Sequence, residues 1–339
     1  MEGRRVVFFE VEDWEKRYFE DQLGGKAELT FNSHRLTLDN VDEAQHADVL
    51  ATFIYSDLSA KVIDSLPNLK GIATMSVGCD HIDVAEATHR HIKVSNVPAY
   101  GPNTVAEHAV ALLLALSRKI IPSVEKTRSE DYDYDPASLS GWDLFGKTIG
   151  IIGTGKIGAH VARIASGLGM KILAYDPKPN QELIEKFKAE YMSVDDILER
   201  ADVITLHVPL CSDTENMLDK PQFARMKHGM VIINTARGGL INPDALLDAL
   251  EDGTVSQAGL DVLPEEDLLR EEKEFFSRYF KLKDYQLAMA GHALTHHKNV
   301  IVTPHNAFNS RESLKNIMQT TVDNIEGFLD GDPVNLVNK

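Results

Sequence analysis

Between Thr148 and Gly158 the chain reads Thr-Ile-Gly-Ile-Ile-Gly-Thr-Gly-Lys-Ile-Gly, and no other stretch restricts the fold so tightly. An apolar strand pattern runs straight into three glycines spaced G-x-G-x-x-G. An amphipathic helix pattern follows from Ala159 to Leu168, and the next apolar run ends on Ala174-Tyr175-Asp176. Alone the glycine spacing is a weak signal. A strand before it, a helix after it and an acid about 20 positions on make it specific. The bland alternative, a glycine-rich turn with no ligand, leaves that acid unexplained.

Each glycine has a physical task. Gly153 permits the tight turn, Gly155 lets the backbone approach a pyrophosphate, and Gly158 lets helix and strand pack closely. The helix N-terminus carries unpaired N–H groups and the positive end of the dipole, where phosphate is favoured. The Asp176 carboxylate accepts from a ribose 2′-OH and repels a 2′-phosphate, so the expected cofactor is NAD rather than NADP.

Around this motif, strand-like runs alternate with helical stretches from end to end, the pattern of an α/β protein with parallel sheets. At 339 residues the chain is long enough for two domains. The first hundred residues predict strands at 5–11, 28–32, 47–54 and 71–76, with a helix near 59–65: a small open α/β domain. The connector Ser95-Asn96-Val97-Pro98-Ala99-Tyr100-Gly101-Pro102-Asn103 is stiff and non-helical. Thr104-x-x-Glu107 then reads as a capping box opening a helix that runs to Arg118. The polar, aromatic segment 129–141 reads as a surface excursion. From Lys147 strands are expected at 148–152, 171–175, 201–207, 230–234, 257–262 and 299–302, the six that a doubly wound dinucleotide domain needs. A closing helix covers 311–329. Residues 268–298 are long for a strand-to-helix connection and read as an insertion, either a lid or an intersubunit contact.

Charge excludes whole classes of partner. With 35 Lys and Arg against 52 Asp and Glu, the formal net charge is −17. Nucleic acid and anionic membrane are therefore not expected, because phosphate binding needs clustered cations. The N-terminus lacks a long apolar core and a small-residue cleavage site, and reads as a strand. The longest apolar run, 109–116, is too short to cross a bilayer. Two cysteines, Cys79 and Cys211, make no disulfide framework, so a reducing, cytoplasmic setting is expected.

Three further signals fall at the ends of the later strands, where open α/β sheets bind ligands: Asn234-Thr235-Ala236-Arg237-Gly238-Gly239, Asp261-Val262-Leu263-Pro264-Glu265-Glu266 and Thr303-Pro304-His305. Reducing a 2-keto acid needs a cation for the carboxylate, polarisation of the ketone and a proton donor. The planar fork of Arg237 suits the carboxylate and the adjacent carbonyl. His305 suits proton transfer to the alkoxide, and Glu266 is taken as the carboxylate that favours and orients the imidazolium. Singly, an Arg after a strand or a lone His is more often structural; their joint placement carries the argument. His89, His91, His292, His296 and His297 complete no metal-ligand set and read as solvated or structural, so no metal is expected. Cys79 lacks a neighbouring base and reads as a bystander.

Over essentially its whole length the chain resembles the D-isomer-specific 2-hydroxyacid dehydrogenases, and within them the fermentative D-lactate dehydrogenases. The resemblance rests on Val77-Gly78-x-Asp80-x-Ile82-Asp83, Asn96-Val97-Pro98-Ala99-Tyr100, Ala106-Glu107-His108, the glycine fingerprint, Asn234-Thr235-x-Arg237-Gly238, Asp261-Val262-x-x-x-Glu266 and Pro304-His305-x-Ala307-Phe308. It implies Arg237, Glu266 and His305 as catalytic residues. Glu266 is preferred to Glu265 because the family glutamate stands five positions after the strand-end Asp. It implies Lys156, Ile157, Asp176, Val208, Pro209, Thr214, Thr235, Ala236 and Asp261 as cofactor contacts beside Gly153, Gly155 and Gly158, with Asp261 on the nicotinamide carboxamide. Backbone N–H groups of Val77 and Gly78 would bind the substrate carboxylate, and Tyr100 and Phe308 would shape its pocket.

The resemblance further implies a doubly wound parallel (Rossmann) nucleotide domain, 103–304, inserted in a smaller flavodoxin-like α/β substrate domain made of 1–102 and 305–339. Catalysis would lie in the cleft between them. Homodimers, sometimes paired into tetramers, are usual in the family. The expected reaction is reversible hydride transfer between NADH and pyruvate/D-lactate, with 2-ketoisocaproate or hydroxypyruvate as alternative acids. An NAD-sensing corepressor on the same fold is the remote alternative. Asp267 departs from the Pro that many relatives carry after the glutamate, and the 268–298 segment resembles one in some bacterial D-lactate dehydrogenases.

Overall fold

The structure, a computed structural model, describes residues 3–129, 135–264 and 282–338. The chain divides into two units, one of Met1–Gly101 with Asn309–Lys339 and one of Pro102–Phe308.

The first unit is built on strands β1 (Arg5–Phe8), β2 (Glu28–Phe31), β3 (Val49–Thr52), β4 (Gly71–Thr74) and β5 (Lys93–Ser95). All pairs are parallel, in the order β2-β1-β3-β4-β5. That is the flavodoxin-like order. The central strands β3 and β4 are buried at every position, as strands covered on both faces must be. Helices α1 (Asp13–Leu23), α2 (Ala60–Asp64) and α3 (Val84–His89) precede the break to the second unit, and the closing helix, Arg311–Asp330, returns to pack on α1 and β4. A Cβ at Gly71 would lie 2.8 Å from the Phe328 ring, so glycine there lets the closing helix sit on the sheet. Strand β5, Lys-Val-Ser, is absent from the predicted strands, because three residues carry too little pattern. Its open edge is covered by the tail: Val337 N–H donates to Val94 O at 2.8 Å, while Asn338 accepts from Val94 N–H and donates to Ile92 O.

The second unit holds β6 (Thr148–Ile152), β7 (Lys171–Tyr175), β8 (Glu190–Tyr191), β9 (Val203–Leu206), β10 (Met230–Asn234), β11 (Val255–Leu260) and β12 (Val300–Val302). They form one parallel sheet ordered β12-β11-β10-β9-β6-β7-β8, the doubly wound arrangement. Six of these strands match the sequence pattern. The seventh, β8, is a two-residue pairing with no readable periodicity.

Three expectations need correcting. Helix α4 spans Pro102–Ser117, so Thr104 and Glu107 lie inside it and form no cap. Proline opens the helix because it lacks the N–H that a first turn leaves unpaired. Residues 282–296 are not an insertion but the crossover helix Leu282–His296 between the parallel neighbours β11 and β12. Parallel strands require such a connection, and its Ala288, Ala290 and Leu294 are buried. The part of that segment before the helix, 268–281, lies outside the described residues, as do 130–134 of the expected surface excursion; Pro136–Leu139 is a short 3-10 turn. Lastly, the junction to the closing helix falls after Phe308, not after Thr303-Pro304, because hydrogen bonds to the Asp261 carboxylate hold residues 306 and 307 to the nucleotide unit.

Candidate active site

The site is built along the carboxyl edge of the second sheet. At the end of β6, Gly153 has φ +94°, and a Cβ there would lie 2.5 Å from the His207 carbonyl oxygen at the end of β9. At Gly158 a Cβ would fall 2.0 Å from the Gly153 carbonyl oxygen, so glycine lets helix α6 (Lys156–Gly167) start directly on the strand end. Gly155 is different. A Cβ there would meet no atom within 4 Å, and among the described residues no side chain caps the helix that Gly155 opens. Packing does not require that glycine; close approach of a ligand does.

Asp176, one residue beyond β7, faces this loop. Its Oδ2 accepts from Thr154 N–H at 2.8 Å and its Oδ1 from Lys178 N–H at 2.8 Å. The short strand β8 supports the same loop, since Tyr191 Oη donates to Thr154 Oγ1 at 2.8 Å. Beyond β9, Thr214 Oγ1 donates to the Pro209 carbonyl and accepts from Cys211 N–H, closing the turn that carries Val208 and Pro209. His207, next to Val208, is held neutral: burial pushes it down to about 3, and its Nε2 lies 2.8 Å from Thr205 Oγ1. Beyond β10, Thr235 is buried and its Oγ1 has no hydrogen-bond partner among the described residues. A buried orphan hydroxyl is unfavourable unless a ligand completes it. The uncapped helix start, the open space at Gly155, the acid at β7 and the orphan hydroxyl at β10 all fit a dinucleotide laid across the strand ends.

The side chains expected to be reactive stand farther along. Asn234, the last residue of β10, donates from Nδ2 to Arg237 O at 2.8 Å and accepts Ala236 N–H at 3.0 Å, fixing the turn that presents Arg237. One Arg237 Nη donates to Ala236 O at 2.7 Å. A Cβ on the adjacent Gly238 would lie 2.1 Å from the Leu263 carbonyl carbon, so the chain leading from β11 toward Glu266 runs hard against the Arg237 turn. Glu266 itself lies outside the described residues.

Asp261 follows β11 and is 1% exposed. Burial alone would raise its carboxyl, but hydrogen bonds from His108, Thr303 and the N–H groups of Asn306 and Ala307 outweigh that and hold it below the usual carboxylate range. It is ionised at neutral pH. Its oxygens accept from Asn306 N–H at 2.8 Å and Ala307 N–H at 2.9 Å, and its own carbonyl accepts His305 N–H at 2.9 Å. Between these anchors His305 sits at φ +52°, a left-handed conformation uncommon outside glycine. The expected nicotinamide contact is thus also the residue that shapes the His305 turn. His108, Asn234, Tyr191 and Thr303 do supporting work that the sequence does not assign to them. His108 and Thr303 stand within recognisable motifs, but their contacts are long-range.

In the first unit, the turn after β4 carries Val77 and Gly78. Asn96 Nδ2 donates to Val77 O at 2.7 Å and Ser76 Oγ to Gly78 O at 2.6 Å. The carbonyls are tied down, while the Val77 and Gly78 N–H groups have no acceptor among the described residues. Tyr100 is held by its own carbonyl, which accepts from Asn316 Nδ2 at 2.8 Å. Among the described residues no group of three or more His, Cys, Asp and Glu could hold a metal ion, and no helix is long and apolar enough to cross a membrane.

A doubly wound sheet with this fingerprint defines a dinucleotide-binding enzyme unit, and comparison with known proteins sharpens the class. The model of the D-isomer specific 2-hydroxyacid dehydrogenase NAD binding domain matches residues 110–307. The chain is 37% identical over 328 residues to 2-hydroxyacid dehydrogenase homolog 1 of Schizosaccharomyces pombe, covering 96% of each. It is 33% identical over 334 residues to D-lactate dehydrogenase of Escherichia coli, covering 97% of this chain and 98% of the other. The solved D-lactate dehydrogenase of Aquifex aeolicus, complexed with NAD and lactic acid, superposes with a TM-score of 0.87 at 33% identity and 96% coverage of both chains. The chain belongs to the D-isomer specific 2-hydroxyacid dehydrogenase family, and is an NAD-dependent oxidoreductase acting on D-2-hydroxy acids.

Asp176→Ala tests the ribose assignment. The ratio of KM for NADPH to KM for NADH should fall on the order of tenfold, because a repelling charge is removed and a 2′-OH acceptor lost. An equal rise in both KM values would mean that Asp176 serves only to hold Thr154 N–H.

Proposed function

We propose that the chain is a D-lactate dehydrogenase that interconverts pyruvate and D-lactate with NADH and NAD. The observation that carries the catalytic part is the placement of Arg237 and His305 beyond β10 and β12, on either side of β11, in a parallel sheet whose other strand ends fit a dinucleotide. Lactate as the acid is supported by likeness to the D-lactate dehydrogenases of E. coli and A. aeolicus. Hydroxypyruvate and 2-ketoisocaproate are the second reading, since one methylene discriminates by only about 1–3 kcal/mol.

In this reading bound NADH supplies the hydride. The Arg237 guanidinium binds the substrate carboxylate and polarises the adjacent carbonyl. The His305 imidazolium passes its proton to the carbonyl oxygen as it becomes the alcohol, and takes it back in the reverse direction. Glu266 favours the charged imidazole. The N–H groups of Val77 and Gly78 form a carboxylate nest. Tyr100 and Phe308 limit the size of the substrate side chain.

We also propose that the chain works as a homodimer, or as a tetramer made of two such dimers. Helix α5 (Ile120–Arg128) buries none of its residues, and Ile120, Ile121, Val124 and the nearby Leu114 of α4 are exposed. Such an apolar strip suits a second copy of the chain, and sedimentation equilibrium at a multiple of 37.7 kDa checks it.

The enzymatic test is NADH oxidation with pyruvate, hydroxypyruvate, glyoxylate and 2-ketoisocaproate. Pyruvate should show the highest kcat/KM and yield D-lactate. His305→Asn should lower kcat by about 10²–10⁴-fold, and Arg237→Ala should cost kcat/KM about 3–5 kcal/mol. Another preferred acid would overturn lactate alone; full activity in His305→Asn would overturn the mechanism.

A further inference from the structure

Helix α4 reaches into the His305 turn through one side chain. His108 Nε2 lies 3.1 Å from Thr303 Oγ1 and 3.3 Å from Asp261 Oδ1, across 195 residues of sequence in the first case. The proton positions follow from the partners. An ionised carboxylate only accepts, and Thr303 Oγ1 donates its hydroxyl proton to Asp261. Both neighbours of His108 Nε2 are therefore acceptors, so Nε2 carries the hydrogen and donates to them whether or not the ring is charged. The helix behind it is firmly seated: α4 packs against β10, β11 and α6, and Val105, Ala106, Ala109 and Val110 flank His108 as buried residues.

We propose that His108 is a positioning residue for His305: its Nε2–H clamps Thr303 and Asp261, and through them fixes the left-handed turn that presents the His305 imidazole. Asp261 is the hub, since the same carboxylate holds Asn306 and Ala307 on the far side of His305. His108 thereby ties both Thr303 and Asp261 to a long, well-packed helix. Removing the His108 donor takes one hydrogen bond from Thr303 Oγ1 and one from the buried Asp261 carboxylate, leaves only the Thr303–Asp261 bond between them, and frees the turn to shift. A misplacement near 1 Å at a reacting group costs on the order of 10²-fold in rate. The inference rests on the reading of His305 as the proton donor.

The test compares His108→Leu with His108→Gln, whose amide nitrogen can stand where Nε2 stands and donate the same hydrogen bonds. His108→Leu should lower kcat for keto-acid reduction roughly 10–100-fold, with KM for NADH and keto acid within about threefold. Amide exchange at residues 305–307, read by mass spectrometry on the full-length protein, should accelerate in His108→Leu. His108→Gln should restore both kcat and protection. Unchanged kcat and exchange in His108→Leu would overturn the proposal. So would a His108→Gln variant as impaired as His108→Leu, because the ring would then act by packing rather than donation. His305→Asn is measured in parallel: if it keeps full activity the catalytic reading fails, while the exchange data still decide whether His108 holds the turn.

Discussion

A single buried carboxylate organises the end of the sheet edge that carries Arg237 and His305. Asp261 follows β11, the strand between the one that presents Arg237 and the one that presents His305. Its main-chain N–H donates to Asn234 O, whose side chain fixes the Arg237 turn, and its carboxylate and carbonyl receive the turn that carries His305. An ionised group so deeply buried is tolerable only when its oxygens are satisfied, and here backbone N–H groups and a hydroxyl do so. Electrostatic need thus becomes geometric order, because the groups that stabilise the carboxylate are those that place His305.

The remainder of the edge follows from strand order. Asp176, the glycine loop, Val208, Thr235, Arg237 and His305 follow β7, β6, β9, β10 and β12 in their order across the sheet. Neighbouring strands lie about 4.8 Å apart, so this order converts scattered sequence positions into a linear track. One end of the track suits a ribose and the other a reacting carbonyl. Glycine is required where backbone meets backbone, at Gly153, Gly158 and Gly238, and where a ligand must meet backbone, at Gly155.

The sequence is legible where local rules dominate. The strands β6, β7 and β10 are found at the residues expected, because apolar runs bounded by glycine, aspartate and asparagine leave no other reading. Legibility fails where partners are distant or elements short. Strand β8 exists only because Glu190 and Tyr191 meet Leu173 and Ala174 across the sheet. The crossover helix from Leu282 is hidden when its length is counted together with the segment before it. His108 stands in a recognisable motif, yet its role depends on Thr303 and Asp261, and Asn338 covers a strand edge 244 residues away. No window of sequence contains such pairs.

Stereospecific hydride transfer between nicotinamide and C2 of a D-2-hydroxy acid is most directly measured with labelled cofactor. NADH deuterated at C4 of the nicotinamide, each face in turn, is supplied with pyruvate, and the product is analysed by mass and by chiral separation. One deuterium should appear at C2 of D-lactate from one labelled face and none from the other. Label in an L-product, or no deuterium at C2 from either labelled face although the nucleotide is consumed, would contradict this account of the site.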